Sequence, residues 1–314
     1  MTEIRNHART ARPGTRVAPA RRRPMSRRTF AIILILPALL VFAAVIGYPF
    51  IQSLISGFFQ GSLLNDERTF VGLDNVVGMV TTGSFWAMVA QTGIFVVLST
   101  LGALLLALAL ALALNTRISG AGFWRTTFLI PWIVPGVVVS FLWSWIFNTN
   151  YGLLNTVVGA LGGPQETNWL NDPGLAMAAI IIAKIWHSFP WMAVLLMAAM
   201  QSIPAETHDA AAVDGARGWR KQVHIILPQI KAAIALTVLL ELIWGLQHFE
   251  IPYVMTGGGP VGSTTTLSIG LYKQAFTNYD LGQAGAIGVA WTVIMAVLAI
   301  FYAVYSIREE KASR

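Results

Sequence analysis

Polar positions are so sparse in this chain that they act as punctuation between apolar runs. Six such runs stand out, at about residues 30–51, 86–114, 126–147, 174–200, 229–253 and 284–307. A helix rises about 1.5 Å per residue, so roughly 20 apolar residues cross about 30 Å of hydrocarbon. The runs lack the strict apolar/polar alternation of a membrane-spanning strand. The pattern predicts an all-α, polytopic membrane protein with six transmembrane helices within residues 29–314, preceded by a tail at residues 1–28.

One segment interrupts the pattern. Residues 203–228, "IPAETHDAAAVDGARGWRKQVHIILP", place acids, bases and two histidines between the fourth and fifth runs. Pro204 suits an early helical position and Glu206 the positive end of a helix dipole. They predict a short helix over 203–213. Asp214-Gly215 supplies a turn, because glycine accepts positive φ. A second short helix is expected over 217–226, ending before Pro228. Connections between packed helices usually take about 2–8 residues. A longer, patterned segment with a thin Ala210–Ala212 face reads more readily as a docking surface than as a connector.

Composition and charge sharpen this. Only 11% of the 314 residues are charged and 55% are hydrophobic, against roughly a quarter charged in ordinary soluble domains. Eighteen of the 21 Lys and Arg fall on one side of the predicted spans, nine of them in the tail. The positive-inside rule puts that side, both termini and residues 203–228 in the cytoplasm. The Arg-, Pro- and Ala-rich tail is expected to be disordered. Topology and attraction to anionic lipid account for the net charge of +7, without nucleic-acid binding. Ser26–Phe30, "SRRTF", resembles a twin-arginine signal, but five further spans favour an uncleaved first helix.

Candidate chemistry is thin. There is no cysteine, hence no disulfide and no thiolate site. No G-x-x-x-x-G-K-[ST], H-E-x-x-H or G-x-S-x-G occurs, and the five histidines are dispersed. No catalytic residue, metal or cofactor is therefore expected on this chain itself. The Gly-rich stretch "TGGGPVGSTTT", residues 256–266, falls on the outer side, as a flexible connection or a docking surface for an outside partner. Pro131 and Pro135 should break or bend the third span. Ala103, Ala107 and Ala111 form a small-residue packing face on the second.

The sharpest signal is Lys184 and Glu241, each near mid-membrane, where a lone charge costs about 2.5–3.5 kcal/mol or more. They read either as a pair tying two helices together or as groups in a polar cavity that passes solute, and the two readings are compatible. His187, Ser188, Gln247, His248 and Glu250 add polar groups on the same helices. Trp132, Trp145, Trp186, Trp191 and Trp244 add flat aromatic faces, a mixture suited to sugars.

"DAAAVDGARGWRKQVHIILP" resembles the "EAA" loop of permease subunits of binding-protein-dependent ABC importers. "LPALLVFAAVIGYPF", "FVGLDN", "TGGGPVGSTTTLSIGLYKQAF" and "YDLGQAGAIGVAW" resemble signatures of the carbohydrate branch, the maltose/glycerol-phosphate-type permeases. The resemblance runs from about residue 29 to the end. It implies a type I importer in a bacterial or archaeal cell membrane, built from two related permeases. Two cytoplasmic ATPases would carry ATP and Mg, and an external solute-binding protein would deliver a sugar. It further implies ATPase coupling through Glu206, Asp209, Ala210, Ala211, Asp214, Gly215, Ala216, Leu227 and Pro228. Asp209 stands where relatives usually have Glu. The sugar-contacting positions of maltose-type permeases fall on Trp132, Gly136, Lys184, Ser188, Glu241 and Gly245. Several differ in type from the maltose pattern, Lys184 and Glu241 above all. A non-sugar solute, or a self-sufficient channel or secondary carrier, are the rival expectations.

Overall fold

A computed structural model describes residues 26–65, 67–114 and 121–312. Residues 1–25 of the basic tail, Arg117 and Arg314 lie outside the described residues. The described residues fall into two units, one within Met1–Ile51 and one within Gln52–Arg314.

The first unit is helical. Ser26 caps α1 (Arg27–Phe42), its Oγ accepting the Thr29 N–H at 3.1 Å. A π-turn at Ala43–Gly47 leads into α2 (Tyr48–Ser56). There the Tyr48 N–H reaches back five residues to the Ala43 carbonyl. The widened turn precedes Pro49, whose ring would crowd a regular helix and whose missing N–H would break its ladder. Neither α1 nor the π-turn buries a residue. A helix apolar on every side and buried on none requires lipid or another chain around it.

The second unit opens with a two-stranded antiparallel hairpin, β1 (Phe59–Gly61) with β2 (Arg68–Phe70), in which Phe59 pairs with Phe70. This hairpin is a small departure from the predominantly helical fold expected, and three-residue strands leave no periodic signature in the sequence. After α3 (Asp74–Val80) comes α4 (Gly83–Leu114), then α5 (Ala121–Ile133) and α6 (Gly136–Ile146). α7 (Leu153–Ala160) precedes α8 (Pro173–Gln201). The start of α8 is capped: Asp172 Oδ1 accepts the Gly174 and Leu175 N–H groups at 2.9 and 3.0 Å, with Pro173 in the first turn.

α4 and α8 form the core. Ala103, Ala107 and Ala111 are fully buried and pack with Trp191, Met192 and Leu196. Deeper along the same pair, a Cβ on Gly102 would collide with Ile185 Cδ1, so that glycine sets how closely the helices approach. Phe95, Ile180 and Ile251 continue the core toward the other end.

Four helices are long and apolar enough to cross a membrane, or up to six if each bent pair counts as one span. The third predicted span is one of those pairs. α5 and α6 bend by 92° at Val134–Pro135, because the residue before proline is driven out of helical geometry. The fifth is the other. After α9 (Ala205–Val213) come α10 (Gly218–Lys221), a π-turn at Gln222–Ile226 and α11 (Leu227–Gln229). That helical stretch meets α12 (Lys231–Leu246) at 71°. Pro228 therefore does not end the helix, contrary to the sequence reading. The Leu227 N–H bonds the Gln222 carbonyl five residues back, the same device as ahead of Pro49, and the break falls at Ile230. A second break follows α12, where Gln247–Phe249 separates it from α13 (Glu250–Thr256).

α14 (Leu267–Tyr272), a π-turn and α15 (Leu281–Ala312) complete the chain. The Gly-rich stretch between α13 and α14 is knotted rather than loose. Thr264 Oγ1 bonds Thr256 Oγ1 at 2.7 Å and the Gly259 carbonyl at 2.8 Å, and Thr265 Oγ1 donates to the Gly258 carbonyl at 2.8 Å. At its tip Val261 is 99% exposed with φ +49°. A β-branched residue there carries roughly 1–2 kcal/mol of steric cost. Val261→Gly is expected to leave the melting temperature unchanged or raise it by a few degrees.

Candidate functional site

Two intramembrane charges meet at the centre of the second unit. Lys184 on α8 and Glu241 on α12 lie with Nζ 2.9 Å from Oε1, their side chains 4% and 0% exposed. The ammonium directs a hydrogen bond at Ser188 Oγ, 2.8 Å away and one turn along α8. Glu241 Oε1 receives no aligned hydrogen bond, so its contact with the ammonium is an ion pair. The other carboxylate oxygen, Glu241 Oε2, accepts the Trp191 indole N–H at 3.1 Å. Trp191 also lies against Trp244, ring centres 4.7 Å apart. An uncompensated charge in this setting would be costly, and the pairing offsets that cost. Trp191→Phe keeps the bulk but removes the donor, so a loss of about 1–3 kcal/mol is expected, read as a lower melting temperature.

Lys184 borders a cavity of about 460 Å³. α5 contributes Trp132, and α8 contributes Lys184, His187, Ser188 and Trp191. Trp244 of α12, with Gln247, His248, Phe249 and Glu250 at the α12–α13 break, completes the wall. The broken backbone follows the rule that irregular chain at membrane depth lines a cavity or is buried in protein. Hydroxyl, amide and imidazole groups here can bond a polar solute, and the indole faces can stack on it.

Of the six pathway residues expected from sequence, Trp132, Lys184 and Ser188 line this cavity. Glu241 sits behind the wall, fully buried. Gly245 packs toward Val96, and Gly136 faces the Glu250 side chain. Trp186 is turned to Trp143 instead, ring centres 5.9 Å apart. Phe249 is a lining residue the sequence reading passed over. Its only signal was its place beside a run of polar residues in an otherwise apolar helix.

The segment after α8 presents a different surface. Ala205–Val213 is helical, and Asp214 ends it. Gly215 takes φ +71°, and the Ala216 N–H closes onto the Ala211 carbonyl at 2.9 Å. Glu206, Asp209, Ala210, Asp214, Gly215 and Pro228 are exposed, whereas Ala211 is buried and Ala216 and Leu227 are half-buried. Val213 and Trp219, 87% and 70% exposed, extend the outward face.

A family model described as "Binding-protein-dependent transport system inner membrane component" matches residues 103–309. The chain is 34% identical over 276 residues to the sulfoquinovosyl glycerol transport system permease protein SmoG of Agrobacterium fabrum, covering 87% of this chain and 89% of that protein. It is 36% identical over 277 residues to the trehalose/maltose transport system permease protein MalF of Thermococcus litoralis, covering 87% and 90%. A chain from a bacterial ABC transporter involved in the import of the acidic polysaccharide alginate shares the fold. Its TM-score is 0.78 at 22% identity, over 90% of this chain and 96% of that one.

Proposed function

Because this chain belongs to the family of binding-protein-dependent transport system inner membrane components, we propose that it is a pathway-forming permease subunit of an ATP-driven ABC importer for a sugar or sugar derivative. It spans the membrane six times with both termini in the cytoplasm. A second, related permease completes the pathway, and two cytoplasmic ATPases hold ATP and Mg. A solute-binding protein delivers the sugar from outside.

The observation that carries this reading is the position of the cavity. α8 and α12 hold the buried Lys184–Glu241 pair and much of the cavity wall. The same two helices flank the α9–α11 segment with its exposed Ala210, Gly215 and Trp219. An ATPase gripping that segment would pull on both walls at once. ATP-driven closure then switches the cavity between inward- and outward-facing states, and the ion pair keeps α8 and α12 moving together. Trp132, Lys184, Ser188 and Glu241 act at the solute pathway. Glu206, Asp209, Ala210, Asp214 and Gly215 act at the ATPase contact, supported by Ala211, Ala216, Leu227 and Pro228. Sugar is supported by the names of the relatives, which include sulfoquinovosyl glycerol and trehalose/maltose permeases, and by the mixture of polar and indole groups in the cavity.

The test is reconstitution of this chain with its second permease, ATPases and binding protein in proteoliposomes. The binding protein is screened against a sugar panel by thermal shift to choose the solute. Uptake of that sugar requiring ATP and the binding protein is expected. Flux through this chain alone, without ATPase, would instead establish a channel or carrier.

A further inference from the structure

The third span changes direction by 92° at Val134–Pro135, beside the cavity. Nothing in the chain's local chemistry sets where the second half, α6, must then lie. Two side chains from other helices reach the break. His187 Nε2 of α8 lies 3.3 Å from the Val134 carbonyl. Glu250, the first residue of α13, lays its carboxylate on the first turn of α6. A Cβ on Gly136 would fall on Glu250 Oε2, so the carboxylate occupies the space that only glycine leaves empty.

The setting suits a negative charge. The first backbone bond of α6 runs from the Val139 N–H to the Pro135 carbonyl at 3.0 Å. The amides of Gly136, Val137 and Val138 precede it and have no helical partner. They give the end of this 11-residue helix its partial positive charge. Glu250 has one face on that turn and borders the cavity with the other.

We propose that Glu250 is a positioning residue: its carboxylate, seated on Gly136 at the α6 N-terminus, clasps the broken third span against the fifth and so sets the width of the cavity. The inference rests on the transporter reading for its purpose, but its geometry can be tested without transport. His187 is the second arm of the clasp, acting on the other side of the same break.

The chain contains no cysteine, so Trp132→Cys places a single thiol in this subunit at the cavity wall. The assembled transporter, without solute or nucleotide, is exposed to N-ethylmaleimide and the label on this subunit is followed with time. Glu250→Gln, which keeps shape and removes charge, and Gly136→Ala, which fills the seat, are each expected to speed labelling about two- to fivefold. The double variant is expected to label no faster than either single, because both remove one interaction. Glu250→Asp, which keeps the charge on a shorter arm, is expected to restore part of the protection. Size-exclusion profiles confirm that each complex is assembled. Where Gly136→Ala fails to assemble, Glu250→Gln alone decides. Wild-type labelling rates in Glu250→Gln would overturn the clasp, and so would rates that multiply in the double variant. Failure of the wild-type complex to import any sugar would instead overturn the transporter reading and leave the labelling result standing.

Discussion

Lys184→Ala is expected to yield a transporter that melts far below the wild type and imports little. The substitution leaves Glu241 charged, fully buried and facing a vacancy, with only the Trp191 N–H to satisfy it. Breaking a buried pair in this way costs about 3–5 kcal/mol, much of an ordinary domain's stability. Glu241→Ala strands the ammonium instead. The effect is smaller because Lys184 borders the cavity, where water can reach it, and Ser188 Oγ still accepts from Nζ. The informative variant is Lys184→Met with Glu241→Leu, which removes both charges and roughly preserves volume. Its melting temperature is expected to return close to wild type. Uptake then separates the two roles of the pair. Full recovery of transport would confine the pair to holding α8 against α12, whereas a stable but transport-defective double variant places its charge on the solute path. Measuring melting by fluorescence-detected size exclusion and uptake in proteoliposomes decides it.

The second large effect concerns the α9–α11 segment. Ala210→Trp is expected to reduce ATP-driven uptake by tenfold or more, about 1.4 kcal/mol or more of lost coupling, while insertion and melting stay at wild-type values. Ala210 is exposed, so a bulky side chain disturbs nothing within the chain, and exposed substitutions usually shift stability by less than about 0.5 kcal/mol. Ala211, one residue on, is buried. Ala211→Leu should therefore lower stability itself, which makes the two a matched pair. Gly215→Asp is expected to uncouple as Ala210→Trp does, with an added cost of about 1 kcal/mol because φ is +71° there. Normal uptake by a correctly assembled Ala210→Trp complex would remove this surface from the coupling path.

Long apolar windows are legible because lipid demands them whatever the fold. The fourth span, expected at 174–200, fell within a residue of α8 at both ends. The helix at Ala205–Val213 and the turn at Asp214-Gly215 followed from local chemistry alone. Breaks were harder. Pro135 does interrupt a span as its covalent geometry requires, but Pro228 does not, since the π-turn before it removes the clash. Pro131, also expected to break or bend the third span, lies inside α5 without ending it, as Pro190 does in α8, so a proline by itself does not mark a break.

The cavity divides in the same way. That Lys184 and Glu241 must not face lipid follows from the cost of a charge in hydrocarbon, and the residues alone state it. That they meet each other, that Trp191 donates to the carboxylate, and that Gly136 is the seat of Glu250 depend on how α6, α8, α12 and α13 cross. By itself the sequence determined the membrane class, the apolar windows, the sidedness expected from its basic residues and the polar character of the segment between the fourth and fifth spans. Those are properties of single residues against a fixed solvent, summed along the chain. Only the tertiary structure decided which polar groups share the cavity and which alanine of α9 faces outward. Those contacts join residues up to about a hundred positions apart, and their energies exist only once helices have packed.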